Sequence, residues 1–329
     1  IFISFFFKKP KPKKKVTVAR GASGARFRRP GELAAEDEDE EIILDGYENE
    51  SDENDDDEDD TAVEEVAEAA AEEEDDDDGQ GVHNERVCRT LKDKAIIMME
   101  AKGVFIDHDE EKMALQIFPR MAGLARRVHD NTTLKERFVS LVKKNDDLQG
   151  TQRTLTRRVP TRWNSDFNCL NSHFHFRDVV EALTSTSSLG LRAYHLSDDQ
   201  WLMAEDVCEV LLLFDTVTRV FSMKEVPLIV DVVPTLEDLR EGLIAARDDT
   251  INDVSNIVKI ACQASILLVD KYSTFADNCD IYLIAIAMCP DRKLKWFKDH
   301  GRTPRQIKEI EKLIIEKWTE VYSPDEDEE

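Results

Sequence analysis

The sequence of 329 residues lacks the short motifs that mark several classes of enzyme and membrane protein. It has no Gly-rich phosphate loop and no G-x-S-x-G nucleophile elbow, and no ordered Ser/His/Asp spacing stands out. It also has no apolar run of about 20 residues, the length that a membrane-spanning helix needs. The apolar opening, residues 1–7, is shorter than this, and its lysines follow the apolar run, unlike those of a signal peptide. The residues alone therefore support neither catalysis nor membrane insertion.

The six cysteines lack the paired C-x-x-C spacing of zinc and redox motifs. We therefore expect reduced thiols in the core of an intracellular protein, without disulfides. Cys169, His173 and His175 form the densest group of potential metal ligands. On a helix the first two share a face, but His175 points about 200° away from His173. Tetrahedral zinc could not reach all three, so the pattern favours helix packing, and we predict no metal site.

Basic residues are absent from residues 36–78, which contain 27 acidic residues and no Lys or Arg. This stretch alone carries a charge of −27, against −26 for the whole chain. A run with this charge density cannot bury enough apolar surface to offset the conformational entropy that the chain would lose on folding. We predict that residues 36–82 form a disordered acidic tract, and that a short acidic tail occupies residues 323–329.

Residues 1–35 form a basic lead-in with ten Lys or Arg and one Glu. Such a cluster can serve as a nuclear localisation signal or as a phosphate-contacting arm, but a plain linker explains it equally well. The apolar residues 1–7, which lack an initiator Met, look like the severed end of a buried strand or helix. We expect further sequence upstream.

Residues 83–322 show helical periodicity, without a strand ladder or an internal repeat. Apolar residues recur at spacings of three and four, as in the stripes Val207, Val210, Leu211, Phe214, Val217, Phe221 and Ile257, Ile260, Ala264, Leu267, Leu268. Four helix starts carry a capping-box pattern: Asp107 with Glu110, Thr133 with Glu136, Ser197 with Gln200, and Thr303 with Gln306. The predicted fold is mainly α, a helical bundle that follows a long disordered acidic segment.

Two stretches within this region carry more specific expectations. Pro304 suits the first position of a helix, which we expect to run to about Tyr322. Residues 278–288 are apolar on nearly every side, which indicates a helix at the centre of the bundle, with a strand as the alternative.

The most nucleic-acid-like segment places four arginines beside an aromatic residue: Arg153, Arg157, Arg158, Arg162 and Trp163. Guanidinium groups pair with phosphates as planar forks, and a tryptophan can stack on an unpaired base. The combination suits distorted or single-stranded DNA. The alternative is a tryptophan packed into the bundle among arginine ion pairs, and the residues alone favour it slightly.

The stretch V-P-T-R-W-N-S at residues 159–165 resembles a motif of hAT-superfamily transposases, especially the fungal ones. Residues 227–234 and 282–297 are similar to two further segments of that family, so the resemblance covers roughly residues 110–322. It implies an RNase H-like core whose Asp, Asp, Glu triad binds two divalent metals such as Mg²⁺, interrupted by an all-helical insertion domain. Trp163 matches the family tryptophan associated with the flipped base or hairpin at the cleaved DNA end.

The sequence also departs from the family pattern. Both family aspartates and a C-x-x-H motif would lie upstream of Ile1, and the catalytic Glu would follow the insertion domain. Glu309, Glu311 and Glu316 could be offered for that role, but no motif supports any of them. A dimerisation segment would also follow, so self-association stays open.

We therefore expect a non-catalytic fragment or relic of a hAT transposase, located in the nucleus and without a cofactor of its own. Its predicted DNA contacts are Arg157, Arg158, Arg162 and Trp163. The alternative is an acidic nuclear protein that binds histones or other basic partners through residues 36–78, with the helices as a scaffold.

Overall fold

The computed structural model describes residues 2–3, 6–7, 80–148, 153–159, 163–223 and 228–322. Within these ranges it contains eleven α-helices and no strand, which confirms the mainly α fold. The predicted acidic tract lies outside the described residues, except for its last three positions, which begin the first helix. The acidic tail lies outside them as well.

The helices are α1 (Gln80–Glu100), α2 (His108–Asp130), α3 (Thr132–Lys144), α4 (Trp163–His175), α5 (Arg177–Thr184), α6 (Asp198–Phe221), α7 (Val232–Arg247), α8 (Asn256–Asp277), α9 (Asp280–Met288), α10 (Lys293–Asp299) and α11 (Pro304–Tyr322). Short 3-10 turns lie at Asp146–Leu148, Ser187–Leu189, Arg192–Tyr194 and Leu228–Asp231.

One large apolar core joins α1 to α8. Helix α8 packs along α7 and α1, while α2 packs against α3, α4 and α6. Phe118, Phe138, Phe176 and Trp201 are almost completely buried within this core. Among the described helices, none is both long and apolar enough to cross a membrane.

The apolar opening of the chain is part of the same core. Phe2, Ile3, Phe6 and Phe7 are all buried, and Phe7 is fully inaccessible. The ring of Phe7 lies edge-on to that of Phe118 in α2, with 6.3 Å between ring centroids. The first residues therefore pack against helices that begin more than 70 residues later in the chain.

Two of the four predicted capping boxes are confirmed. At the start of α6, the backbone N–H of Gln200 donates to the Ser197 hydroxyl at 3.2 Å, and the N–H of Ser197 donates to the Gln200 side chain at 3.1 Å. Thr303 and Gln306 exchange the same pair of bonds, at 3.3 and 2.9 Å. The predicted helix Pro304–Tyr322 is also confirmed.

The cap predicted at Thr133 is wrong, because Thr133 is already the second residue of α3. The cap is Asn131, whose side chain accepts from the backbone N–H of Leu134 at 3.1 Å. Asn131 is therefore the single residue between α2 and α3, and its side chain satisfies one free backbone N–H in the first turn of α3.

The box predicted at the start of α2 is only half formed. Asp107 is the N-cap and accepts from the N–H of His108 at 2.8 Å. Glu110 does not complete the box, because its carboxylate accepts from the N–H of Ile257 at 2.8 Å instead. Ile257 lies in the first turn of α8, so Glu110 satisfies an N–H of another helix and ties α2 to α8.

A second, smaller core joins α9, α10 and α11 to the ends of α7 and α8. Its buried members are Val233, Ala276, Ile286, Trp296, Phe297 and Ile310. The helix predicted at residues 278–288 is confirmed as α9, but its central position is wrong. Of its nine residues only Ile286 is buried, whereas Ile281 and Met288 are 62% and 68% exposed. Its neighbours cover one face and leave the other open to solvent.

Candidate nucleic-acid interface

An open cleft of about 590 Å³ lies between the end of α2, the irregular segment 153–159 and the middle of α4. Its lining residues are mostly polar: His129, Arg153, Thr154, Leu155, Thr156, Arg157, Asn168 and Asn171. Two arginines, a histidine and two asparagines in one concave site supply hydrogen-bond donors suited to phosphate or base edges.

Segment 153–159 is fixed to α4 although it has no regular structure. The Leu155 side chain is buried, and the N–H of Thr156 donates to the Ser172 hydroxyl at 3.0 Å. The N–H of Val159 donates to the Ser165 hydroxyl at 2.9 Å, and that hydroxyl donates back to the Val159 carbonyl at 2.6 Å. The wall of the cleft is therefore held in place at both ends.

Arg158 faces inward from this segment. Its guanidinium Nε donates to the Asp166 carboxylate, which is completely buried in α4, and the Arg158 side chain is only 10% exposed. This charge-assisted bond adds a further tie between the segment and the helix. In this geometry Arg158 positions the backbone that carries its neighbours rather than presenting its charge to solvent.

Arg157 points the other way. Its side chain is 46% exposed, and its guanidinium lies 3.7 Å from the exposed Asp130 carboxylate at the end of α2. A solvent-exposed pair of this kind contributes little, so the guanidinium remains available to a phosphate. Arg153 is also exposed on the cleft wall.

Trp163 is the first residue of α4 and is half-buried. Its ring lies edge-on to the ring of Phe214 in α6, with 6.2 Å between centroids. Phe214 in turn contacts Phe2 at 6.3 Å, so the indole rests on an aromatic group of the main core. Arg162, the remaining predicted contact, lies outside the described residues.

The charge around the cleft opposes that of the whole chain. Residues 126–171, which include every lining residue of the cleft, carry ten Lys or Arg and five Asp or Glu, a net charge of +5 in a chain of −26. Sequence reasoning had selected the arginines but missed His129, Asn168 and Asn171. The asparagines lie three residues apart on α4 and share an exposed face, a spacing that could have revealed them once the helix was assumed.

Cys169 and His173 lie on the buried side of α4, behind the cleft. The Nδ1 atom of His173 lies 2.8 Å from the Cys169 carbonyl, an internal helix contact. Burial lowers the pKa of His173 to about 4 and raises the pKa of Cys169 to about 12. His175 is exposed, and its ring packs on that of Phe176. In the ranges that the structure describes, no group of three His, Cys, Asp or Glu side chains is placed to hold a metal ion.

The buried His173 makes stability depend on pH. Its folded pKa of about 4 is below its ordinary value of 6.5, so the unfolded chain takes up the proton first as the pH falls. Neutral His173 makes its full contribution to the free energy of unfolding above pH 6.5. This contribution decreases as the pH falls toward 4, by up to about 3 kcal/mol. Urea unfolding across this window should show a weaker pH dependence for His173→Gln than for the parent. The exposed control His175→Gln should follow the parent, and parallel curves for all three would contradict this role.

Residues 112–210 match the family model of the ZBED1 RNase-like helical domain. The match starts in the first turns of α2 and ends within α6, so it includes the cleft and α3. It supports a hAT/ZBED-related, transposase-derived domain in this part of the chain. The comparisons with curated proteins and with solved structures give no match.

Proposed function

We propose that the helical domain binds an unpaired or distorted DNA end of a hAT-type transposon in the cleft between α2 and α4. The observation that carries this proposal is the cleft itself, an open polar site in a segment, residues 126–171, of net charge +5. The segment that resembles the transposase motif ends at the start of α4, and the matched family domain includes all the lining residues.

The cleft supplies two kinds of contact. Arg153 and Arg157 contact phosphates, and the Asn168 and Asn171 amides can donate to phosphates or to base edges. Trp163 lies five residues before Asn168 on the same helix, roughly 8 Å along its axis. Five residues also correspond to about 140° around the helix, so a strand whose unpaired base stacks on the indole would curve around α4 to reach the cleft.

The predicted contacts take different roles in this proposal. Arg157 and Trp163 contact DNA, and Arg153 joins them because it lines the cleft. Arg158 is a positioning residue that acts through Asp166. Arg162 stays among the proposed contacts because it belongs to the T-R-W-N-S stretch, although it lies outside the described residues.

The proposed activity is binding rather than cleavage, in the nucleus and without a cofactor. The carboxylate triad that the resemblance implies has no motif-matched residue in this sequence, and two-metal cleavage requires all its carboxylates together. DNA is preferred to histones as the partner, because the cleft presents Arg153 and Arg157 to solvent, and these cations suit a phosphate backbone rather than a basic protein.

Trp163→Ala provides the test of this function. Base stacking contributes about 1–3 kcal/mol, so the variant should bind a hairpin or flapped DNA end roughly 5- to 150-fold more weakly. Its affinity for plain duplex of the same sequence should change much less. Fluorescence anisotropy of labelled DNA measures both, with circular dichroism to confirm folding.

Two variants serve as controls for this experiment. Trp318→Ala removes an exposed tryptophan on α11, far along the chain from the cleft, and should leave both affinities unchanged. Phe214→Leu alters the support beneath Trp163 and reports the effect of packing alone. An equal loss on flapped and duplex DNA in Trp163→Ala would remove the stacking role.

A further inference from the structure

Helix α3 carries a second open groove, of about 600 Å³, on its solvent face. The groove is lined by Thr132, Lys135, Glu136, Val139, Ser140, Lys143 and Lys144. Three lysines and one glutamate leave it with a net positive charge. None of these seven lining residues is aromatic, so they offer no ring on which a base could stack.

The opposite face of α3 anchors the helix firmly. Leu134 and Phe138 are buried, and the ring of Phe138 lies edge-on to that of Phe176 with 5.1 Å between centroids. The lysines therefore extend from a fixed helix, with Lys135 and Lys143 separated by roughly 12 Å along its axis.

The lysines of this groove outnumber the one glutamate among its lining residues. No described acidic side chain forms an ion pair with Lys135, Lys143 or Lys144. On α11, in contrast, Lys312 and Lys317 pair with glutamates within the same helix. When unpaired ammonium groups neutralise phosphates, the cations condensed on the DNA are released into solution, and this release favours binding.

The groove and the cleft adjoin along the sequence, at the junction of α2 and α3. His129 and Asp130 lie at the end of α2 beside the cleft, Asn131 links the helices, and Thr132 begins the groove. A strand held by Arg153 and Arg157 at the cleft would meet the α3 lysines on turning this corner.

We propose that the α3 groove binds the phosphate backbone of the duplex that continues from the DNA end held in the cleft. Lysine ammonium groups act there as point charges that contact phosphates without reading sequence, and the Thr132 and Ser140 hydroxyls add neutral donors. The lack of an aromatic platform favours paired over unpaired DNA. This inference rests on the proposed function, since the cleft sets where the duplex begins.

The test replaces the three lysines together, as Lys135→Gln, Lys143→Gln and Lys144→Gln, in the full chain. Two probes share one flapped end: one has a very short duplex arm, and the other has an arm of about two helical turns, or 20 base pairs. On the long arm, the slope of log affinity against log salt should decrease in magnitude by about 2 to 3, with at least a tenfold weaker Kd at moderate salt. For the probe with the short arm, the salt slope and the Kd should both remain those of the parent protein.

A matched control and a reference variant decide between the outcomes. The triple variant Lys295→Gln, Lys298→Gln, Lys308→Gln makes the same charge change on α10 and α11, and should retain parental binding. Arg153→Gln with Arg157→Gln should weaken both probes. If the α3 variant matches the control on the long arm while the arginine variant loses both probes, this inference fails and the proposed function stands.

Two other results are equally decisive. Unchanged binding in the arginine variant would overturn the cleft itself. An equal loss of both probes in the α3 variant would show that the lysines act only through overall charge, which contradicts a duplex groove.

Discussion

Replacing Asp166 by alanine is expected to lower the free energy of unfolding by about 3–5 kcal/mol. Asp166 is fully buried and binds the guanidinium of Arg158, which is itself only 10% exposed. Removing the carboxylate leaves a cation with little access to water and no compensating charge, which costs far more than an exposed pair contributes. Urea unfolding followed by circular dichroism measures the loss.

The matched control is the exposed pair of the same two residue types beside the cleft. Asp130→Ala removes the partner of Arg157, where both side chains are about half exposed, and should cost less than about 1 kcal/mol. The double variant Arg158→Met, Asp166→Leu should recover much of the stability, because neither charge then remains buried. A cost for Asp166→Ala no larger than for Asp130→Ala would show that Arg158 faces solvent in solution.

Phe7→Ala is expected to cost about 3–5 kcal/mol, although the residue lies almost at the start of the sequence. Its ring is fully inaccessible and contacts the rings of Phe2 and Phe118. Truncation leaves a cavity inside the main core that the neighbouring helices can fill only in part. The free energy of unfolding in urea is again the measurement.

Phe105→Ala is the control for this substitution, because Phe105 is 58% exposed between α1 and α2. It should change stability by less than about 1 kcal/mol, as surface substitutions usually do. If Phe7→Ala behaves like Phe105→Ala, the opening residues do not belong to the core in solution.

The local features of the fold could be predicted because their causes are local. Spacings of three and four residues define the buried side of α8, where Ile257, Ile260 and Ala264 are all buried. The caps at Ser197 and Thr303 depend only on a residue and its partner three positions later. Such contacts form wherever the rest of the chain lies.

Features that depend on distant residues could not be predicted. Glu110 had the correct spacing for a capping box, but its carboxylate is used by Ile257, which lies almost 150 residues away in sequence. The hydropathy of α9 shows that the helix is apolar, but not how many neighbours it has. A prediction from hydropathy therefore placed Ile281 and Met288 in the core, whereas both are exposed.

In the candidate site, too, the local features could be predicted and those set by distant residues could not. The sequence identified segment 153–163 as rich in arginine. Its described irregular part, residues 153–159, has no period from which to infer which arginine faces inward. Arg158 and Arg157 are adjacent and chemically identical, yet one binds a buried carboxylate and the other lies at the surface. That difference is set by the position of Asp166 on α4.

The burial of Phe2 and Phe7 links the first residues of the sequence to the cleft. The ring of Phe7 packs on Phe118 in α2, and the end of the same helix supplies His129 to the cleft wall. A change in the opening residues that shifts α2 would therefore also shift one wall of the proposed DNA site. The opening of the sequence is in this sense a support of the site as well as a part of the core.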